Sequence, residues 1–555
     1  MRRLIWTLVA VITAGVLFFV YVVPPAPDRL DASAWSDLGA RTVPGAYHVH
    51  STRSDGHGDK AAIAAAAAAA GLKFVILTDH GDGTRPPDAP EYVGPVLMLD
   101  AVEISTDEGH LVAIDMPRAP YPLGGAGDAV IEDVTRLGGF AIAAHPDSQK
   151  PALRWTSNAA VDGIEWLNLD SQWRDESRSA LALAGIGYFF RQGPALATLL
   201  DRPRTIARWD ALTPKQRVVA LAAVDAHGGV GRPAEDPGGS LFGTVGIPSY
   251  EASFRTFSNR AVLDRPLSGH AAEDAKAIYG AIRKGRVFTA IDALAAPALL
   301  DFWAEAGAAR IEMGEGVSSD SDVTLLARAL MPAGAEMGLM KNGRLMAKSY
   351  GDMRRVLTGA EGVYRLEIRV PEAPGTPPVP WLMSNPIYFG PDPRPAPPVS
   401  AAGTAATRTG AAIAPFPWRI EKDPASRAIL RTSDRVATLE YTLAEGSRSS
   451  QFVALATDLS QASFRAIDLS LAGDRGGRVS VQVRSADGKR WGRSYYVDPA
   501  GTAFHVPLSE LRPIAGTGPP PESEAVTSIL LVVDLTNASP GHSGALRVMA
   551  SALSN

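Results

Sequence analysis

Seven of the ten histidines lie between His48 and His227, and six of those seven, with Asp55, Glu103 and Asp225, stand at the edges of successive apolar runs. His48 and His50 are two apart at the end of the first run, so strand alternation points both into one site. Asp55 follows in the loop STRSDG, the second run ends in Thr78-Asp79-His80, and the third ends in Glu103. His110 opens the fourth run after the turn DEG, His145 ends the fifth, and Asp225-Ala226-His227 closes the last, again with ligand types two apart. Burying so many polar groups without a cation would cost several kcal/mol each, so His48, His50, Asp55, His80, Glu103, His110, His145, Asp225 and His227 are expected to hold metal. Nine ligands with one carboxylate shared suit two or three divalent ions, and nitrogen and oxygen donors without sulfur suit zinc, manganese or iron. Two such ions would lower the pKa of a bridging water from about 15.7 toward about 7, making a hydroxide nucleophile, and could clamp two phosphoryl oxygens. The expected reaction is hydrolysis of a phosphoester. The same hydroxide could attack a carbonyl, which makes a carbamate, amide or ester the alternative substrate class.

Around that set, Asp79, Asp147 and His57 are candidates to protonate a leaving group, and Arg53, Arg174, Arg178 and Arg255 to grip a phosphate. Each also has a plainer reading: Asp79 orienting His80, His57 facing water from a turn, the arginines as surface charge. A different class of answer is a membrane-tethered binding protein with a structural metal, whose β-domains recognise glycans or envelope polymers. Structural sites usually close with about four ligands, which nine exceed.

The chain has 555 residues and no cysteine, which excludes disulfides, thiolate nucleophiles, iron-sulfur clusters and cysteine zinc sites. A formal net charge of -5 without long like-charge runs gives no footprint for nucleic acid. The glycines at 81–84 and 124–128 lack a Walker lysine and read as turns, as does 487–489.

The elements that must position the nine residues follow from the pattern. Apolar runs at 46–50, 74–78, 96–103, 111–115, 140–144, 163–167 and 219–225 alternate with helix-like stretches, the rhythm of parallel strands with crossover helices. One crossover is the alanine-rich stretch from Asp59 to Gly71. The segment 228–260 should overhang the mouth as a lid or binding loop, its Tyr250, Phe254 and Phe257 shaping a substrate pocket or capping the core. From about 297 alternating runs and an Asn342-Gly343 turn predict a β-sandwich to 390, a Pro/Ala-rich linker covers 391–412, and 413–555 reads as a sandwich or jelly roll. In that last module Trp418, Trp491, Tyr495 and Tyr496 could stack on sugars or pack the core. At the other end, no charge appears between Leu4 and Asp28, long enough to cross a bilayer. The run is longer than a cleaved signal peptide's and ends in Val22-Val23-Pro24-Pro25, not a small-x-small site. That favours an uncleaved signal anchor at 1–23 over a cleaved peptide, with a juxtamembrane segment at 24–42. Arg2 and Arg3 ahead of it put everything later on the periplasmic or extracytoplasmic side of an inner membrane.

The motifs HVHSTRSDG at 48–56, TDH at 78–80, the 103–110 segment, AHP at 144–146 and DAH at 225–227 resemble, in order and spacing, those of the PHP (polymerase and histidinol phosphatase) superfamily over 43–296. Membrane-linked relatives similar to carbaryl hydrolase carry comparable histidine sets. The resemblance implies an α/β fold, a distorted (β/α)7 barrel, here followed by two all-β domains and preceded by one transmembrane helix. It also implies up to three metals: His48, His50, Glu103 and Asp225 on the first, Glu103 bridging to a second on His110 and His145, and Asp55, His80 and His227 on a third. This chain has Asp55 where many relatives have histidine. The substrate expected is a small molecule or an envelope-derived one.

Overall fold

The computed structural model describes residues 2–229, 246–317, 322–359, 361–371, 373–391, 417–433, 436–448, 450–459 and 463–554. The expected linker, apart from Pro391, and nearly half of the expected lid, 230–245, lie outside them. A 21-residue helix, α1 (Arg2–Val22), is long and apolar enough to cross a membrane and is exposed along nearly all its length.

Two sheets carry the histidine motifs. In the first, β1 (Thr42–Val49), β2 (Phe74–Leu77) and β3 (Val96–Asp100) run parallel. The second holds β4 (Val102–Thr106), β5 (Gly109–Ile114), β6 (Phe140–Ala143), β7 (Gly163–Asn168) and β8 (Val219–Ala223). Apart from β4, which is partly exposed, their strands are buried nearly throughout and mostly apolar, as strands covered on both sides are. The outer strands of the second sheet, β4 and β8, reach the carboxyl ends of β1 and β2, interior strands of the first, through single bridges, Val49 to Ala226 and His80 to Glu103, so the ligand-type residues gather at that end.

Uniform strand-helix alternation is not what forms. The run 96–103 breaks at Ala101, and β3 and β4 enter different sheets. β4 and β5 are a hairpin whose loop, Asp107-Glu108, is too short for a helix and closes on Gly109 at φ 109°. β5 and β6 are antiparallel as well. The alanine-rich crossover does form, as α2 (Lys60–Ala69): Asp59 caps it by accepting from Ala62 N, Ile63, Ala64 and Ala67 pack inward, and Gly71 ends it at φ 80°.

The boundary expected at 296/297 cuts through one sheet. β9 (Ser258–Val262) pairs with β1, β10 (Val287–Ala290) pairs with β9, and Leu382–Ser384 pairs with β10, carrying the sheet into the region expected to be a separate sandwich. A single apolar core runs from Val49 and Ile63 to Leu325 and Leu366. Alternating runs announce strands but not their partners, so the continuation was hidden. The Asn342-Gly343 turn forms as its residues dictate, both at positive φ between paired Lys341 and Arg344. Among the described residues the last module is a sandwich of six and five strands with its own core. It docks through Arg478, buried against Asp133 and Glu132 of α3 (Gly127–Arg136).

Candidate metal centre

All nine sequence-predicted ligands converge on one cluster. His48, His50, Glu103 and His145 are almost wholly buried, while His80 (30%), His227 (18%) and Asp55 (16%) form its solvent-facing side. The innermost four donors are closely matched. His48 Nε2 lies 3.1 Å from His50 Nε2, 3.3 Å from Glu103 Oε2 and 3.4 Å from Asp225 Oδ1. His50 Nε2 lies 3.3 Å from each of the same carboxylate atoms. Bonds of about 2.0 to 2.1 Å to a tetrahedral zinc-sized ion put its donors about 3.3 to 3.4 Å apart, so these spacings are those of a ligand cage.

Glu103 turns its other oxygen to His110 Nδ1 at 2.7 Å and His145 Nε2 at 2.8 Å. On the open side, Asp55 Oδ2 is 3.5 Å from His80 Nε2 and 3.6 Å from His227 Nε2. Asp55 Oδ1 and His80 Nδ1 are buried without a hydrogen-bond partner among the described residues. Buried polar atoms in that state are uncommon and fit groups meant for a cation.

Burial works against the carboxylates of Glu103 and Asp225, yet the surrounding histidines, His48 foremost, hold both well below the usual carboxylate range. Burial likewise opposes charge on His145 and His227, but Glu103 lifts the first to about 8, and Asp55 with Asp225 lifts the second to about 9. His50 goes the other way, lowered mainly by burial. A metal-free cluster is therefore a proton store, and cations would replace those protons.

Three of the ligand-type residues, His48 (φ 66°), His145 (φ 29°) and Asp225 (φ 44°), stand in left-handed backbone. Such conformations are strained for residues with a side chain and persist where surrounding structure imposes them, typically at functional sites.

Sequence reasoning missed the groups behind the ligands. Glu165 takes a hydrogen bond from His48 Nδ1 at 2.6 Å and from His145 N at 2.7 Å. Asn168 donates to Glu165 and to Asp225, and its carbonyl caps α4 (Leu169–Arg174). These contacts leave His48 Nε2 facing the cluster. His145 and His227 are set the same way, their Nδ1 atoms on the carbonyls of Leu153 and Asp225. The one available signal was polar Glu165 and Asn168 inside the apolar run GIEWLN. Asp170, largely buried on α4, is pushed up by burial and by Asp225.

The remaining candidates divide. Asp79 does not face the cluster as a free acid: it accepts from Ser51 N, Ser51 Oγ and Ser54 Oγ and ties down the ligand loop. His57 is half-buried, its backbone and Nδ1 both on the carbonyl of His227. Arg53 is paired with Asp88 and Asp100, yet with Asp79, His80 and Arg85 it lines a cavity of about 220 Å³ beside the cluster. Arg174 is bound to Asp170, within electrostatic reach of Asp225 and Asp55. Asp147 accepts from Thr205 N, Arg255 is spent on Glu251 and Ala69, and Arg178 opens a surface helix. Tyr250, Phe254 and Phe257 are core residues, Tyr250 donating to the His50 carbonyl. Trp418, Trp491 and Tyr495 pack with the sandwich core, and Tyr496 lies under Arg136.

No protein-family model matches the sequence, and no curated protein does. Among solved structures, a two-domain protein from Bacteroides vulgatus, described as containing a predicted PHP-like metal-dependent phosphoesterase, is similar over 62% of this chain and 93% of its own, at 15% identity and a TM-score of 0.29. The family 11 carbohydrate-binding module of a cellulosomal cellulase from Clostridium thermocellum is similar over 25% of this chain and 87% of its own, at 13% identity and a TM-score of 0.20. At these values the reading of the site rests on its own geometry.

Proposed function

We propose that this protein is a metal-dependent phosphoesterase, held by α1 in a membrane with its cluster on the extracytoplasmic side. The observation that carries the reading is the four-donor cage of His48, His50, Glu103 and Asp225, which shares Glu103 with a second donor set. His48, His50, Glu103 and Asp225 would hold one ion, Glu103, His110 and His145 a second, and Asp55, His80 and His227 a third. Divalent ions there would supply Lewis acidity and water activated near neutral pH.

The protein's own groups would do the rest. Glu165 and Asn168 hold His48, His145 and Asp225 in the orientation that presents their donors. The exposed side formed by His80, Asp55 and His227 is the approach for substrate. Arg53 and Arg85, held by Asp88 and Asp100, line the adjoining cavity.

The test is turnover of an aryl phosphate against an aryl carbamate and an aryl ester by the full chain in detergent, loaded with zinc or manganese. Phosphate hydrolysis should dominate and should fall by several orders of magnitude when His48 and His50 are both changed to alanine. Turnover confined to the carbamate or ester would replace the substrate class, and activity retained by the double variant would overturn the site.

A further inference from the structure

The helix α5 (Arg178–Tyr188) and the two phenylalanines after it present an apolar face to the outside. Ala182, Gly185, Ile186, Phe189 and Phe190 recur at the spacing of one helical stripe, and all five are exposed, Phe189 by 81% and Phe190 by 56%. The opposite side is already anchored: Ala184, Gly187 and Tyr188 are buried, and the Tyr188 hydroxyl pairs with Ser249. A helix packed on a water-soluble body normally shows its polar side outward; this one does not.

The stripe leads to α1. Phe190 meets Phe19 edge to face at 5.0 Å between ring centres, Gly187 backs onto the Val22 carbonyl closely enough that a Cβ would stand 2.9 Å from it, and Arg191 donates to the Pro24 carbonyl. Phe19 lies three residues inside the end of α1, about 4.5 Å along its axis. A bilayer crossed by α1 must therefore also reach Phe190.

We propose that Ile186, Phe189 and Phe190 seat in the lipid of the outer leaflet, a second membrane contact beside the span. Aromatic rings are favoured at that depth, and the flanking Arg178 and Arg191 can extend to the headgroups. The seat rests on reading α1 as a span. It fixes the body against rotation about its tether and so holds α4, with Asp170 and Arg174 just ahead of α5, at a set height above the bilayer.

The chain has no cysteine, so one introduced thiol reports from one place. The full chain carrying Leu17→Cys or Phe189→Cys, each with an environment-sensitive fluorophore, would be reconstituted in phosphatidylcholine vesicles with phosphatidylglycerol and titrated with nitroxide lipids. Labels at 17 and 189 should both lose most of their emission. Quenching at 17 without quenching at 189 would overturn the seat alone, and a shielded label at 189 in that case would assign the stripe to a protein partner. Loss of quenching at 17 would overturn the span and the seat with it. Phe189 is so exposed that its replacement removes little packing, so folding does not confound the reading.

Discussion

His48 is gripped from both ring nitrogens, by Glu165 behind and by the cluster carboxylates in front. Groups that orient a ligand from behind typically change metal affinity by about 10- to 100-fold when removed. Glu165→Gln should weaken binding within that range and Glu165→Ala by at least as much, read by competition with a chromophoric chelator. The histidines also set a pH dependence. In metal-free protein His145 and His227 carry values of about 8 and about 9, above the ordinary 6.5. A raised value stabilises the fold fully below the unfolded value and loses that contribution as pH climbs through the folded one. The Tm of metal-free protein should therefore fall between about pH 6.5 and 9, and added zinc should restore most at the alkaline end, where the ligands shed protons readily. A Tm that rises over that window would contradict the charge arrangement.

The hairpin that carries Glu103 and His110 depends on one turn. Gly109 sits at φ 109°, and a Cβ there would stand 2.4 Å from the carbonyl oxygen of Arg154. Gly109→Ala should destabilise the fold by about 1 to 3 kcal/mol or more, since backbone strain and collision add, and should lower bound metal by displacing His110. Denaturant unfolding and metal content of the purified variant check both. At this scale sequence was a good guide wherever the determinant was local. The alanine-rich helix between Asp59 and its Gly71 stop, the DEG turn and the Asn342-Gly343 turn all form, because each needs only its own residues. The break at Ala101 was not visible, since an unbroken apolar run describes one strand as well as two in different sheets.

Across the whole molecule, Arg478 joins the last sandwich to the α/β unit with its side chain 1% exposed, 2.6 Å from Asp133 and 2.9 Å from Glu132. Without Arg478, Asp133 keeps Arg136 and the Tyr121 hydroxyl, so the loss falls below the roughly 3 to 5 kcal/mol of a buried charge left unpaired. Arg478→Ala should lower stability by less than that and separate the melting of the sandwich from that of the rest, visible as two calorimetric transitions; an unchanged single transition would remove this pair as the coupling element. The sequence by itself determined which nine residues meet, because strand ends and ligand pairs two apart are local patterns that any α/β closure gathers at one edge. Tertiary structure alone decided that Glu165 stands behind His48 from 117 residues away, that the first sheet continues past residue 296, and that the α5 stripe lies beside α1. Those outcomes depend on pairings between distant segments, and an apolar or buried polar residue carries no local mark of the partner it will find.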